Sequence, residues 1–384
     1  MNQAISGSGD DQSAAGQAQF DPDRHDQYWM QYAISLAQRG QYATKPNPQV
    51  GCVIVKDQHW VAEGFHPRAG QPHAEVFALR QAGESARGAT AYVTLEPCAH
   101  YGRTPPCALG LVEAGVSRVV VACHDPNPLV AGQGIQILRE AGIEVKQGVC
   151  EAVAAQLNLG FLKAMATGMP YVRLKVASSL DGRTAMASGE SKWITGPAAR
   201  LDVQHWRAIS AAVITGIDTI LADDCLLNVR QLPPQTADLD IDAVVQPKRV
   251  ILDRQGRLPL SAQILQQLDT VMVMGPYRQD LAELGVIQLP IMDLNALLRH
   301  LCKVFQLYDI LVEAGATLST AFLQQRLVDQ MISYVAPTFL GQSARAMFNA
   351  DLNHMAEQFR FKLQDVVQLG DDLRLRLIPM QESV

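Results

Sequence analysis

PHAE at Pro72–Glu75 and EPCAHYGRTPPC at Glu96–Cys107 decide the reading of this chain. Together they supply one imidazole, a carboxylate two residues after it, and two thiols. Catalytic zinc commonly takes three protein ligands and keeps one position for water, and His73, Cys98 and Cys107 fit that count. Glu75 is too close to His73 along the chain to need ligating itself, which leaves its carboxylate for general acid–base work. A closed structural site would want a fourth protein ligand. His100, inside the spacer between the cysteines, could complete such a shell, but a substrate-facing role suits it better.

Outward from these strings, helix and strand patterns alternate. Trp29, Met30, Ala33, Ile34 and Ala37 recur at helical spacing, with Gly40 placed to end the helix. Residues 50–55 and 61–65 read as a hairpin, 73–81 as a helix, 91–95 as a strand and 107–114 as a helix. A buried strand over 119–123, a helix over 135–141 and a strand over 144–149 complete a layered α/β unit with helices on both faces. His73 and Glu75 then start one helix, and Cys98 and Cys107 flank the start of the next, where helix dipoles favour thiolate and other negative charge.

Gly168–Pro170 breaks the pattern, and a strand over 171–177 follows at once, so a second domain over 169–384 should pack directly on a first one over 25–168. Further strands are expected at 211–215, 249–252, 270–274, 310–312 and 331–336, with 373–378 as an edge strand. There is no GxGxxG, so no Rossmann fingerprint. Residues 1–24 are small and polar, lack the basic start and apolar block of a secretory signal, and read as a flexible tail without chemistry.

Composition agrees with a cytoplasmic enzyme. No apolar run reaches the ~18 residues that a membrane span needs. A formal charge of −6 argues against a nucleic-acid partner gripped by a broad basic face. Seven cysteines, scattered through 384 residues, make no disulfide framework. Cys52, Cys123, Cys150, Cys225 and Cys302 lie in or beside apolar segments and read as reduced core residues.

The H-x-E … P-C order resembles that of the zinc nucleoside deaminases, except that eight residues separate the cysteines where two are usual. With KPNPQVGCVIV at 45–55, GFHPRAGQPHAE at 64–75 and HDPNP at 124–128, the first half resembles the deaminase domain of the bifunctional riboflavin biosynthesis family, a pyrimidine deaminase joined to a reductase. That family uses a long GRTPP-containing spacer, so the departure becomes support. The resemblance implies a cytidine-deaminase-like three-layer domain with one zinc per chain. It implies hydrolytic deamination of 2,5-diamino-6-(ribosylamino)-4(3H)-pyrimidinone 5′-phosphate, with Glu75 as proton shuttle. Asn47 would fix the pyrimidine edge, and His66, His100, Arg103, Asp125 and Asn127 would line the sugar-phosphate end.

The second half resembles the reductase domain of the same family, through LKVASSLDGRTAMASGESKWITG at 174–196, TGIDTILADD at 215–224, LNVR at 227–230 and VEAGATLSTAFL at 312–323. This implies a dihydrofolate-reductase-like α/β domain that uses NADPH to reduce the ribosyl group of 5-amino-6-(5-phosphoribosylamino)uracil to ribityl. Gly315 stands between a strand and a helix start, where backbone N–H groups can receive a phosphate. The implied pyrophosphate loop is Gly315, Ala316, Thr317, Leu318, Ser319, Thr320 and Ala321, with alanine at 316 where the family usually has proline. Ala177, Trp193, Thr219 and Asp223 match other cofactor positions. Lys175, Ser191, Arg207, Leu227, Arg230 and Glu313 match the reductase substrate side, with Lys175, Asp223 and Glu313 as candidate proton donors. The family also implies a homo-oligomer, a dimer or larger, through the reductase half. Two other readings are a deaminase acting on tRNA and a non-catalytic nucleotide sensor. The acidic balance and the whole second half disfavour the first, and the intact set of deaminase residues disfavours the second.

Overall fold

The computed structural model describes residues 21–99, 101, 105–127, 131–233 and 241–380. His100 and Arg103 lie outside the described residues, as do 1–20. In the first half, β1 (Gly51–Lys56), β2 (His59–Phe65), β3 (Thr90–Leu95), β4 (Arg118–Cys123) and β5 (Glu144–Gln147) form one sheet in the order β2-β1-β3-β4-β5. β1 runs antiparallel to β2 and β3, and β3, β4 and β5 are mutually parallel. The central strands are apolar on both faces because helices cover both. α1 (Pro22–Gln38) covers one face with Met30, Ala33 and Ile34. On the other, α2 (Ala74–Ala82), α3 (Cys107–Ala114) and α4 (Gln133–Glu140) contribute Ala74, Ala78, Leu111 and Leu138. This is the expected three-layer unit. The expected tail ends sooner than residue 24, because Asp21 caps α1 by accepting from the N–H groups of Asp23 and Arg24, with Pro22 at the first helical position.

Two short helices, α5 (Glu151–Ala155) and α6 (Leu159–Thr167), lead into the second half. There β6 (Tyr171–Ser179), β7 (Arg183–Ala185), α7 (Pro197–Ile209), β8 (Ala212–Gly216), α8 (Ile217–Asp223), β9 (Lys248–Leu252), β10 (Val271–Met274), α9 (Gln279–Glu283) and β11 (Ile287–Leu289) are followed by α10 (Leu294–Phe305), β12 (Asp309–Glu313), α11 (Ala316–Gln324), β13 (Gln330–Ala336), β14 (Arg345–Ala346), β15 (Phe361–Leu369) and β16 (Asp372–Pro379). The main sheet has nine strands in the order β11-β10-β9-β8-β12-β6-β13-β16-β15. It is parallel from β11 to β13, and β16 and β15 join antiparallel. The expected edge strand at 373–378 is therefore internal, bonded to β13 on one side and β15 on the other. β15, whose alternation is mostly exposed residues, forms the real edge.

The halves are packed together. Lys163 of α6 pairs with Asp329 at 2.6 Å, and the loop before β1 docks on α7, with the Tyr42 hydroxyl 2.8 Å from His205 Nδ1. Gly160 of α6 lies so close to Asp309 that a Cβ there would stand 2.0 Å from a carboxylate oxygen.

Asp26 fastens α1 to the sheet. It is 1% exposed and accepts from both Arg118 terminal nitrogens (2.8 and 2.9 Å), from Lys146 at 2.8 Å and from the Tyr92 hydroxyl at 2.9 Å. Burial pushes its pKa up, but the bonds from Arg118, Lys146 and Tyr92 outweigh that and hold it at about 2. The folded-state value lies below the unfolded one, so this stability is present above about pH 4 and drains away as pH falls toward 2. Asp26→Asn should cost about 2 kcal/mol at pH 7, because it weakens the charged bonds to Arg118 and Lys146, although Arg118 keeps Glu144 and Lys146 keeps Asp23. Thermal melting of the pair across pH should show the gap between wild type and variant closing in acid; a gap constant to pH 2 rules this out.

Candidate active sites

The first site is built where α2 and α3 begin. His73 is the N-cap of α2, Glu75 lies in that helix's first turn, and Cys107 opens α3. Cys98 sits in the loop leaving the carboxyl end of β3. The ligand atoms of His73, Cys98 and Cys107 all lie within 4.8 Å of one another, and among the described residues no fourth member joins the group. His73 Nδ1 is 3.3 Å from Cys107 Sγ and 3.7 Å from Cys98 Sγ, which also accepts from the Cys107 N–H at 3.3 Å. Hydrogen bonding from the Cys107 thiol, working against burial and helped by His73, pulls the Cys98 pKa down to about 4. The contact with Cys98 pushes His73 up.

Glu75 is 3% exposed, and its Oε2 is buried without a hydrogen-bond partner. Burial pushes its pKa up. One nitrogen and two sulfurs converge beside an orphaned carboxylate oxygen, and that donor set suits zinc with one position left over.

Asn47 and His66 form a pair beside this cluster. His66 Nδ1 is 3.0 Å from the Pro72 carbonyl, so it carries the proton, and Nε2 accepts from the Asn47 amide nitrogen at 3.1 Å. The His66 ring meets the His73 ring edge-on, centroids 5.5 Å apart, and is only 2% exposed. The structure thus places His66 behind Asn47 and leaves the Asn47 amide oxygen for other partners. Asp125 is 6% exposed and spends Oδ1 on the Asn127 N–H at 2.8 Å.

Sequence reasoning gave Glu96 no role, although it directly precedes Pro97 and Cys98. Its buried carboxylate accepts from the N–H groups of Asp125 (3.3 Å), Gly132 (3.2 Å) and Ile135 (3.4 Å), and lies 2.8 Å from His124 Nδ1. One side chain therefore clamps the Cys98 loop, the Asp125–Asn127 turn and the start of α4. The fit is close: a Cβ on Gly134 would stand 1.9 Å from the Pro97 carbonyl oxygen. The signal was the EPC string, but its meaning depends on β3 and β4 being neighbours.

The second site is a cavity of about 1430 Å³ at the carboxyl ends of the parallel strands, where open α/β sheets place ligands. It gathers Lys175 and Ala177 from β6, Arg207 from α7, Thr219 and Asp223 from α8, and Glu313 from β12. Ser191, Trp193, Leu227, Arg230, Gly315 to Leu318 and Ala321 line it too. Ser319 and Thr320 do not: both are buried, Ser319 Oγ donating to the Ala314 carbonyl at 3.1 Å and Thr320 Oγ1 accepting from the Asn349 N–H at 2.8 Å.

Glu313 is the hub of this cavity. Arg207 grips it with two bonds, Nε to Oε1 at 2.6 Å and Nη2 to Oε2 at 2.9 Å, and Lys175 Nζ lies 3.8 Å from Oε2. Burial pushes Glu313 up, yet Arg207 and then Lys175 hold its pKa below the usual carboxylate range. Burial pushes Lys175 down against the pull of Glu313. Asp223 accepts from the Ser191 hydroxyl at 3.3 Å. Arg230 is exposed, its backbone N–H held by Gln204 Oε1 at 3.0 Å. Trp193 is 69% exposed, with the Arg200 guanidinium 4.3 Å from its ring centroid. α11 starts at Gly315 with no side-chain cap, so the first N–H groups of the helix face this cavity. Arg254 and Arg257, after β9, line its far end and were not singled out by sequence.

Residues 23–123 match the model of the cytidine and deoxycytidylate deaminase zinc-binding region, and residues 170–375 match that of the RibD C-terminal domain. The chain is 49% identical to riboflavin biosynthesis protein RibD of Escherichia coli over 365 residues, covering 92% of this chain and 99% of that one. It is also 49% identical to RibD of Haemophilus influenzae over 359 residues, 91% and 96% of the two chains. Among solved structures, Acinetobacter baumannii RibD superposes with a TM-score of 0.91 at 74% identity over 94% and 100% of the two chains. A diaminohydroxyphosphoribosylaminopyrimidine deaminase/5-amino-6-(5-phosphoribosylamino)uracil reductase of Thermotoga maritima does so with 0.84 at 34% identity over 93% and 99%.

The Glu96 clamp has a measurable consequence. Gly134→Ala should force Pro97 and Cys98 outward and weaken zinc binding about tenfold or more. Zinc content after dialysis against a chelator reads this out, while the reductase activity stays at the wild-type level. Undiminished zinc affinity would show that the loop has room to yield.

Proposed function

The chain belongs to the riboflavin biosynthesis protein RibD family, and from that premise we propose which substrates its two sites take and which side chains act. It is a bifunctional deaminase and reductase. The first site takes 2,5-diamino-6-(ribosylamino)-4(3H)-pyrimidinone 5′-phosphate and releases ammonia. The second takes the deaminated 5-amino-6-(5-phosphoribosylamino)uracil and reduces its ribosyl group to ribityl.

The observation that carries the first half is the orphaned Glu75 Oε2 beside three converging ligand atoms. His73, Cys98 and Cys107 would hold zinc, which supplies the Lewis acidity that lets water attack near neutral pH. Glu75 Oε2 takes a proton from the attacking water, delivers it to the ring nitrogen, and assists the departure of ammonia. A carboxyl raised by burial both accepts and returns that proton, whereas a fully hydrogen-bonded one would keep hold of its charge. Asn47, steadied by His66, reads the pyrimidine edge, and Asp125 and Asn127 serve the sugar-phosphate end.

In the second half, NADPH supplies the hydride. The N–H groups at the start of α11 and the dipole of that helix receive the pyrophosphate. Neighbouring strands are about 4.8 Å apart, so β6 to β9, three steps across the sheet, spans about 14 Å. Lys175 stands at one end of that span and Arg254 and Arg257 at the other, with Glu313 and the start of α11 between, one strand from Lys175. The substrate and the nicotinamide therefore belong by Lys175, Trp193 and Glu313. The two arginines belong to the phosphate on the adenosine ribose, which selects NADPH over NADH. Arg230, whose Nη1 donates to Asn228 Oδ1 at 3.2 Å, has further donors for the substrate phosphate at the rim, while Arg207 keeps Glu313 ionised beside it. Lys175, its pKa lowered by burial, is the proton donor for the opened ribose ring.

Two measurements test these assignments. Glu75→Gln should lower deamination about a thousandfold or more, with zinc retained and reduction of the deaminated substrate unchanged. Loss of the metal, or of both activities together, breaks the division of labour. Replacing Arg254 and Arg257 together by alanine should raise KM for NADPH about tenfold and leave KM for NADH where it was. An equal change for both cofactors removes these arginines from the selection.

A further inference from the structure

Asn47 stands between two pinned points of the chain. On one side, Asn158 of the segment joining α5 to α6 brackets Gln49: its Oδ1 accepts from the Gln49 N–H at 2.7 Å and its Nδ2 donates to the Gln49 carbonyl at 2.8 Å. On the other side the anchor comes from the opposite half of the molecule. Lys45 Nζ donates to three backbone carbonyls, of Ala208 (2.5 Å), Ser210 (3.0 Å) and Val245 (3.0 Å). Ala208 is in the last turn of α7 and Ser210 is that helix's C-cap, so the ammonium lies at the negative end of the α7 dipole, on carbonyls with no helical N–H to accept. The loop is held again by the Val245 N–H donating to the Tyr42 carbonyl at 3.0 Å and by the Tyr42–His205 contact. Between the anchors a tight turn closes with the Asn47 N–H donating to the Thr44 carbonyl at 2.8 Å.

A lysine on three carbonyls has all three donors used and no carboxylate at hydrogen-bond distance. Burial presses its pKa down to about 7, with the charge of Asp309 opposing, and its three N–H donors meet the three carbonyls. α7 divides its faces between the two halves: His205 and Ala208 meet the deaminase loop, while Gln204 and Arg207 serve the reductase cavity.

We propose that Lys45 is a positioning residue for deamination, through which the end of α7 sets where Asn47 stands in the other half's active site. The reductase half is then part of the deaminase pocket's framework. This rests on the reading above that Asn47 meets the pyrimidine edge. The two bonds from Arg207 to Glu313 do not involve Lys45.

The test uses the full-length, zinc-loaded enzyme and ammonia release from the phosphorylated diaminopyrimidine. Lys45→Met should raise KM about tenfold and change kcat by no more than about threefold, with one zinc per chain and NADPH-dependent reduction of the deaminated substrate preserved. In an Asn47→Ala background the same substitution should change KM less than about twofold, because the two residues act in series. Lys45→Arg, which keeps the charge, should recover most of the lost affinity. An unaltered KM in Lys45→Met, or an undiminished effect in the Asn47→Ala background, overturns the proposal. So does loss of zinc and of reduction in both Lys45 variants, which would make Lys45 a requirement for folding alone. A wild-type enzyme that holds zinc yet releases no ammonia from this substrate overturns the substrate reading, and this proposal with it.

Discussion

A carboxylate taken out of water must be given hydrogen bonds or a countercharge, or it gives up its own charge. Asp26, Glu96 and Glu313 each meet that requirement, and each thereby holds distant parts of the chain together. Asp26 collects Arg118, Lys146 and Tyr92 and seats α1. Glu96 collects three N–H groups and His124 and aligns two loops of the deaminase site. Glu313 collects Arg207 and Lys175 at the floor of the reductase cavity. Against that background Glu75 Oε2 is buried without a hydrogen-bond partner, which is the condition the proposed proton shuttle needs.

Both sites follow from the same placement rule applied to different sheets. Parallel strands deliver loops to one edge, and helices that start there present N–H groups and positive dipole ends. In the first half the edge is formed by the ends of β2 and β3, whose connections to α2 and α3 carry nitrogen, carboxylate and sulfur. In the second it is formed by β6, β12, β8 and β9 and carries cations and a bare helix start. Chemistry differs because side chains differ, while the framework that aims them is alike.

The first half was largely legible from residues alone. HAE and PC are local strings whose spacing places His73, Glu75 and Cys98 at helix and loop starts, and the stretches 50–55 and 61–65, split by the polar KDQHW at 56–60, mark the hairpin. The reductase half's strands showed in the pattern, but its site was legible only through family resemblance, since no local string dictates that Lys175, Arg207 and Glu313 meet. Where reading by pattern went astray, the reason is physical. The stretch 373–378 alternates as an edge strand would, but β15, too exposed to show an apolar pattern, pairs outside it. Ser319 and Thr320 point into the protein because a helix turns about 100° per residue and only some of a loop-helix string can face a ligand. Lys45 and Glu96 escaped notice since a partner 163 residues away, as Ala208 is from Lys45, leaves no trace in local spacing.

The close fit of Gly160 against Asp309 reaches beyond stability. A methyl group on Gly160 would displace the Asp309 carboxylate and crowd the Tyr308 carbonyl, so the connecting helix and the reductase strand beneath it constrain each other's sequence. A hybrid enzyme spliced between them would therefore keep this seam only where the parent of the first half supplies a residue at 160 as small as glycine.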